Sequence, residues 1–157
     1  MVANQAVVIK PWQADFANQA AVLHAKSMMS SWSLSQWQAL NPKLTYGAAA
    51  FSGDVLVGVA ILNAVAGESE LQTIAVDEAF RGVGLSKDLF RHAVTMLPSD
   101  TSTMFLEVDS ANSVAINLYS ALNFTQCGLR RGYYKHSAGN GDAIIMSKEL
   151  NHASNID

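Results

Sequence analysis

Apolar and polar positions change period several times along the chain, and each change marks an element. Val7-Val8-Ile9 is a short apolar run ended by Pro11, which predicts a first strand. Residues 15–27 carry Phe16, Ala20, Val22, Leu23 and Ala25 on a rough helical stripe. Residues 33–40 predict a second short helix, with Ser33 able to cap it and Asn41-Pro42 to stop it. The period then shortens. Residues 46–51 and 55–65 are apolar runs joined by Ser52-Gly53-Asp54, a polar glycine turn that predicts a hairpin. Ala66-Gly67-Glu68 is a second turn, and residues 71–76 form a third strand of the same meander.

Beyond residue 76, helix and strand patterns alternate. A loop over residues 77–86 opens into a helix whose Leu85, Leu89, Phe90, Ala93 and Val94 make one apolar face, and Pro98 ends it. Met104-Phe105-Leu106-Glu107-Val108 predicts a strand. Residues 113–122 predict a helix with Val114, Ala115, Leu118, Tyr119 and Leu122 on one side. Asn123 suits the left-handed residue just past its end. Residues 124–134 and 142–150 read as two closing strands joined by a Gly139-Asn140-Gly141 loop. This order predicts an α/β fold: one mixed central sheet of about seven strands flanked by about four helices, with crossover helices after residues 76 and 108. Residues 1–150 form a single domain on this reading, and residues 151–157 a polar tail.

Composition supports one globular domain. The 157 residues are half hydrophobic and 15% charged. A net charge of -3 argues against a general nucleic-acid binder, which needs a basic face. It leaves room for a local acidic patch that receives a basic peptide. Cys127 is the single cysteine, so an internal disulfide is impossible and a reduced, cytoplasmic setting fits. The first ten residues lack a basic segment followed by a long apolar run, and no apolar stretch reaches the roughly 20 residues of a membrane helix. No membrane partner is expected. His24, His92, His136 and His152 show no metal-ligand spacing with Cys127 or each other, so no metal is expected either.

Three features carry chemistry. Arg81-Gly82-Val83-Gly84-Leu85-Ser86 lies between a strand and a helix. Glycines there allow close backbone approach and positive φ, and free amides at a helix start bind phosphate. No Gly-Lys-Ser/Thr follows, and the three-glycine dinucleotide fingerprint is absent. The competing reading is an ordinary glycine turn. Glu107 is the one charge in its apolar strand; it either pairs with a nearby arginine or sits where solvent and ligand reach it, as a general base must. Tyr119, twelve positions on, is either a packing tyrosine or a phenol placed to donate a proton.

Arg81-x-x-Gly84-x-Ser86 resembles the pyrophosphate loop of the GNAT acetyltransferases. Ser86 stands where glycine or alanine is usual. Leu106-Glu107-Val108, Ser110-Ala111-Asn112, Leu118-Tyr119, Leu122-Asn123-Phe124, Arg130-Arg131-Gly132-Tyr133-Tyr134 and Asp142-Ala143-Ile144-Ile145-Met146 are similar to the signature segment of the RimI-like branch. That branch acetylates the N-terminal alanine of a ribosomal protein. Ile74-Ala75-Val76-Asp77 and Trp32-Ser33 match it as well. Asp109 replaces an arginine of that pattern, Ser31 a proline and Asn123 a glycine.

The resemblance implies an acetyl-CoA-dependent N-α-acetyltransferase of the GNAT fold, with a protein N-terminus as partner and no metal. It assigns proton acceptance to Glu107 and proton donation to Tyr119. Acetyl-CoA binding falls on Ile74, Ala75, Val76, Arg81, Gly82, Val83, Gly84, Leu85, Ser86, Lys87, Asn112 and Tyr119. Asn112 is equally suited to cap the helix that follows. Acceptor binding falls on Trp32, Ser33, Asp109, Tyr133 and Tyr134, with residues 136–141 nearby. Trp37 reads as core packing, and Arg130 and Arg131 as solvated strand charges. Two other functions stay open at this point: acetylation of a small amine or lysine side chain, which Asp109 keeps alive, and a catalytically silent acyl-CoA sensor, which the presence of both Glu107 and Tyr119 disfavours.

Overall fold

The structure, a computed structural model, describes residues 6–27, 31–136 and 139–150, with 134–136 and 139–140 described by backbone only. Seven strands form one sheet: β1 (Val7–Pro11), β2 (Thr45–Ser52), β3 (Val55–Val65), β4 (Glu68–Val76), β5 (Thr103–Asp109), β6 (Thr125–His136) and β7 (Gly139–Glu149). Their spatial order is β1-β2-β3-β4-β5-β7-β6. Every neighbouring pair is antiparallel except β4 and β5. Among the described residues four α-helices accompany it: α1 (Ala17–Ser27), α2 (Leu34–Gln38), α3 (Leu85–Thr95) and α4 (Ser113–Ala121). The predicted mixed α/β sheet and the two crossover helices are present.

The helices divide between the two faces of the sheet. On one face Leu89, Ala93 and Leu85 of α3 pack with Leu62, Leu71, Met104 and Leu106, and Tyr119 of α4 lies against the same cluster. On the other, Leu23 of α1 and Trp37 of α2 pack with Val59, Ile61 and Ala75. Burying each such aliphatic side chain contributes about 1.5–3 kcal/mol. β3 supplies both cores and is therefore apolar at nearly every position, as a strand covered on both faces must be. Gly58 of β3 faces α3: a Cβ there would lie 2.8 Å from the Leu89 Cδ1, so the bare glycine lets the helix seat closely.

Several boundaries differ from the sequence expectation. A 3₁₀ turn, Ala14–Phe16, precedes α1, and α2 spans only Leu34–Gln38. β4 starts at Glu68, because Glu68, Glu70 and Gln72 alternate outward against buried Ser69, Leu71 and Thr73. Gly139, Asn140 and Gly141 belong to β7 and not to a loop, since they pair with His136, Lys135 and Tyr134 through main-chain groups that need no side chain. The tail at residues 151–157 and part of the 136–141 segment, residues 137 and 138, lie outside the described residues.

Candidate active site

The parallel junction at the centre of the sheet is incomplete. β4 and β5 pair only at Glu68↔Thr103, Ser69↔Met104 and Glu70↔Phe105. Beyond Glu70 the two strands part, although β4 runs on to Val76 and β5 to Asp109. The cause lies in β4. Ile61 of β3 faces Thr73 while Leu62 faces Leu71, so Gln72 is an extra residue, a bulge. Bulges bend a strand and increase its twist. The result is a cleft whose β4 wall, residues 71–76, offers main-chain groups to a ligand as a β-edge does.

The mouth of this cleft is the glycine loop. Gly82 and Gly84 adopt φ of 82° and 83°, and a Cβ at either would meet nothing within 4 Å. Gly84 is the N-cap of α3, so the first amides of an 11-residue helix open beside it. A cavity of about 170 Å³ is lined here by Val76, Arg81, Gly82, Gly84, Ser86 and Lys87, with Leu118 of α4 across from them. Arg81 shapes the loop: its Nε donates to the Val76 carbonyl at 3.0 Å. Val83 is 75% exposed and does not line this cavity. Open amides, positive-φ glycines and a bare strand edge fit a diphosphate carrying an amide-rich arm, which is the chemistry of coenzyme A.

Glu107 and Tyr119 stand on opposite faces of the sheet. On β5, Leu106 and Val108 turn toward the α3 and α4 core, against which Tyr119 packs, so Glu107 turns to the α1 and α2 side. The parted strands lie between them. Tyr119 also meets Phe124 edge to face, with ring centroids 6.2 Å apart. Glu107 is partly buried and ion-paired with Arg130, Oε1 to the guanidinium at 3.0 Å. Both readings of Glu107 therefore hold together: it has an arginine partner and it lines a cavity of about 350 Å³. A pair of this exposure contributes about 0–1 kcal/mol, too little to withhold the carboxylate from a ligand. Arg130 is no bare solvated charge, since it holds Glu107 and lies over the Tyr133 ring at 5.2 Å.

The remaining predicted residues fall into three places. Asn112 caps α4, its side chain accepting from the Ala115 amide at 3.1 Å. Asp109 closes the turn before it, accepting from the Ala111 amide at 2.9 Å. Ser33 forms a capping box with Gln36 at the start of α2. Trp32 packs on Trp37 at 4.7 Å and on His24 at 5.2 Å, and its amide donates to His24 Nδ1 at 2.8 Å. Accepting there leaves His24 Nε2 as the protonated nitrogen, which donates to Thr73 Oγ1 at 2.8 Å. Burial lowers the His24 pKa from 6.5 to about 4, so the ring stays neutral and keeps this tautomer. Tyr133 is half exposed, and the backbone sets Tyr134 opposite Gly141, its side chain being outside the described residues.

Sequence reasoning missed two contributors. Glu70 sits on the last rung before the strands part and lines the same cavity as Glu107. Its amide donates to Asn63 Oδ1 at 3.0 Å, and Asn63 Nδ2 reaches Glu70 Oε1 at 3.5 Å. The residue is exposed overall, yet its carboxyl pKa is raised, first by lost hydration and then by the charge of Glu107, with Asn63 opposing. The Glu68, Glu70, Gln72 alternation was the available signal. His24 was the other, and its pairing with Thr73, 49 positions away, left no local trace.

Comparison with known proteins agrees with this geometry. Residues 10–124 match the Acetyltransferase (GNAT) family. A Salmonella typhimurium protein named ribosomal protein bS18-alanine N-acetyltransferase is 38% identical over 109 residues, 69% of this chain and 70% of that one. A Mycobacterium tuberculosis protein named N-alpha-acetyltransferase RimI is 35% identical over 102 residues, 62% of each. The crystal structure of the ribosomal-protein-S18-alanine N-acetyltransferase from Escherichia coli superposes with a TM-score of 0.85 at 26% identity, covering 93% of this chain and 95% of that one. The chain belongs to the GNAT acetyltransferase family and, like these RimI-type relatives, is an acetyl-CoA-dependent N-acetyltransferase.

Proposed function

We propose that the chain acetylates the N-terminal amine of a protein, and that its acceptor is the N-terminal alanine of the small-subunit ribosomal protein S18. The observation that carries this reading is the 38% identity to a protein that bears that activity in its name. The site chemistry supports it. Residues Gly82, Val83, Gly84, Leu85, Ser86 and Lys87 hold the diphosphate of coenzyme A on main-chain amides, and Ile74, Ala75 and Val76 take its pantetheine arm as an added strand. Bound there, acetyl-CoA supplies an acyl carbon activated as a thioester.

The protein's groups do the rest. An ammonium has no lone pair, and an α-amine has a pKa of about 7.7–8.0, so a carboxylate base is sufficient. The ammonium's first proton passes to solvent, and Glu107 accepts the second as the C–N bond forms. A β4 amide donates to the carbonyl oxygen as charge builds there. Tyr119, on the far side of the cleft, protonates the departing sulfur. Trp32, Ser33, Asp109, Tyr133 and Tyr134 border the acceptor, while Asn112 holds the start of α4 and with it Tyr119. No covalent enzyme intermediate is needed, so exposed Cys127 has no part.

The test is direct. The protein is mixed with acetyl-CoA and peptides beginning with alanine, serine or blocked alanine, each with an internal lysine, and the products are weighed and sequenced. Acetyl on the alanine α-amine is expected. Acetyl on the lysine with the α-amine untouched, or binding of acetyl-CoA without turnover of any peptide, would overturn the reading.

A further inference from the structure

Between β7 and β6 a side chain does what main chain does elsewhere in the sheet. Arg130 of β6 pairs with Ala143 of β7 and Tyr134 with Gly141, so Arg131, Gly132 and Tyr133 stand against the single residue Asp142. The main chain of Asp142 is engaged toward the end of β5. Its carbonyl accepts from the Ser110 amide at 2.8 Å, and its amide donates to Ser110 Oγ at 3.2 Å. In an antiparallel ladder a residue turns both main-chain groups to one neighbour, so this pair does not serve β6. The carboxylate takes their place: Asp142 Oδ1 accepts from the Gly132 amide at 2.8 Å. Gly132 has a φ of 62°, which glycine adopts without strain. A bulge of this kind re-aims the side chain it carries, here the half-exposed Tyr133.

The bulge reaches the reacting groups from two directions. Tyr133 lies beneath the Arg130 guanidinium at 5.2 Å, and Arg130 holds Glu107 at 3.0 Å. Ser110 opens the turn between β5 and α4, where Asp109 accepts from the Ala111 amide at 2.9 Å and Asn112 caps the helix that carries Tyr119. Asp142 is bonded to the bulge and to that turn alike. We propose that Asp142 is a positioning residue for the acceptor: its carboxylate fixes the Gly132 bulge and so aims Tyr133 at the incoming peptide, resting on the reading above that Tyr133 borders that peptide. Its part is geometric, and it moves no proton. The partner is a neutral main-chain amide, so the role needs an accepting oxygen more than a negative charge. Asparagine has such an oxygen and alanine has none.

The experiment compares wild type with Asp142→Ala, Asp142→Asn, Tyr133→Ala and the double variant of Asp142→Ala with Tyr133→Ala. Steady-state kinetics are measured with acetyl-CoA and the alanine-initiated peptide. Asp142→Ala is expected to raise the peptide KM about tenfold, the scale of one lost hydrogen bond to a charged group. KM for acetyl-CoA stays within about twofold, and kcat at saturating peptide within about threefold. Asp142→Asn is expected to bring the peptide KM back to within about threefold of wild type. On a Tyr133→Ala background, Asp142→Ala adds less than about twofold, because both changes act through one ring. A merely structural role would raise both KM values and would add in full. Where Asp142→Ala does not fold, Ser110→Ala removes the hydroxyl that holds the Asp142 amide and is expected to raise the peptide KM about threefold. A wild-type peptide KM in folded Asp142→Ala or in that substitute overturns the proposal and leaves the amine transfer standing. So does an asparagine variant as impaired as the alanine one, or full additivity with Tyr133→Ala. Wild type that acetylates no amine overturns both.

Discussion

The two junctions of β4 behave in opposite ways. Toward β3 it pairs along nearly its whole length, from Val65↔Glu68 to Gly58↔Val76, with one bulge. Toward β5 it keeps three rungs and then lets go. The same strand thus serves as core on one edge and as binding surface on the other. The apolar residues do not explain the difference, since both edges sit above the same buried Leu71, Ile74 and Val76. The extra residue at Gln72 does, because it turns the second half of β4 away while its antiparallel partner follows. An α/β sheet gains a ligand cleft where a parallel pairing is broken beside a crossover helix.

The comparison breaks hardest at the reacting groups. Glu107→Gln and Tyr119→Phe are each expected to lower kcat by about 10²–10⁴, the range for a positioned acid or base, with the dissociation constant for acetyl-CoA changed less than about threefold. Steady-state kinetics with calorimetric binding check both parts. Unchanged turnover in both variants would remove the role assignments. A smaller effect is expected at the mouth of the cleft. Gly84→Val places a β-branched residue at φ 83° and bends the loop, so KM for acetyl-CoA rises about tenfold while kcat at saturation changes little. An equal rise in the peptide KM would mean that the loop serves the acceptor instead.

The smallest effect sharpens the other side of β4. His24 has a folded pKa of about 4 against an ordinary 6.5, so the unfolded chain binds the extra proton between those values. Its contribution to stability is complete above about pH 6.5 and is lost as pH falls toward about 4, at about 1.4 kcal/mol per pH unit. Denaturant titrations of wild type and His24→Asn across that range should differ in slope by this one proton. Equal slopes would show that the ring is not held neutral between Trp32 and Thr73.

Much of the fold was legible because its signals are local. Leu85, Leu89, Ala93 and Pro98 announce α3, Ser33 and Asn112 announce helix starts, and Asn123, at φ 71°, announces a helix end. The glycine loop and the Leu106-Glu107-Val108 strand could be found for the same reason. What could not be read depends on contacts between distant positions. Glu107 and Arg130 meet across β7, and no spacing rule connects 107 with 130. The bulge at Gln72 exists only relative to β3, and Glu70 gains meaning only from the place where the strands part. Gly139 and Gly141 misled because glycine suggests a turn, while a hairpin end asks only for main-chain pairing.

A crystal of the protein grown with acetyl-CoA tests the central claim most directly, that the break between β4 and β5 is the donor site. The account predicts the diphosphate on the amides of Gly82, Val83, Gly84 and Ser86, the pantetheine arm along Ile74, Ala75 and Val76, and the sulfur between the Glu107 and Tyr119 sides of the sheet. A carrier bound elsewhere with the glycine loop empty, or Glu107 turned away from the sulfur, would contradict it.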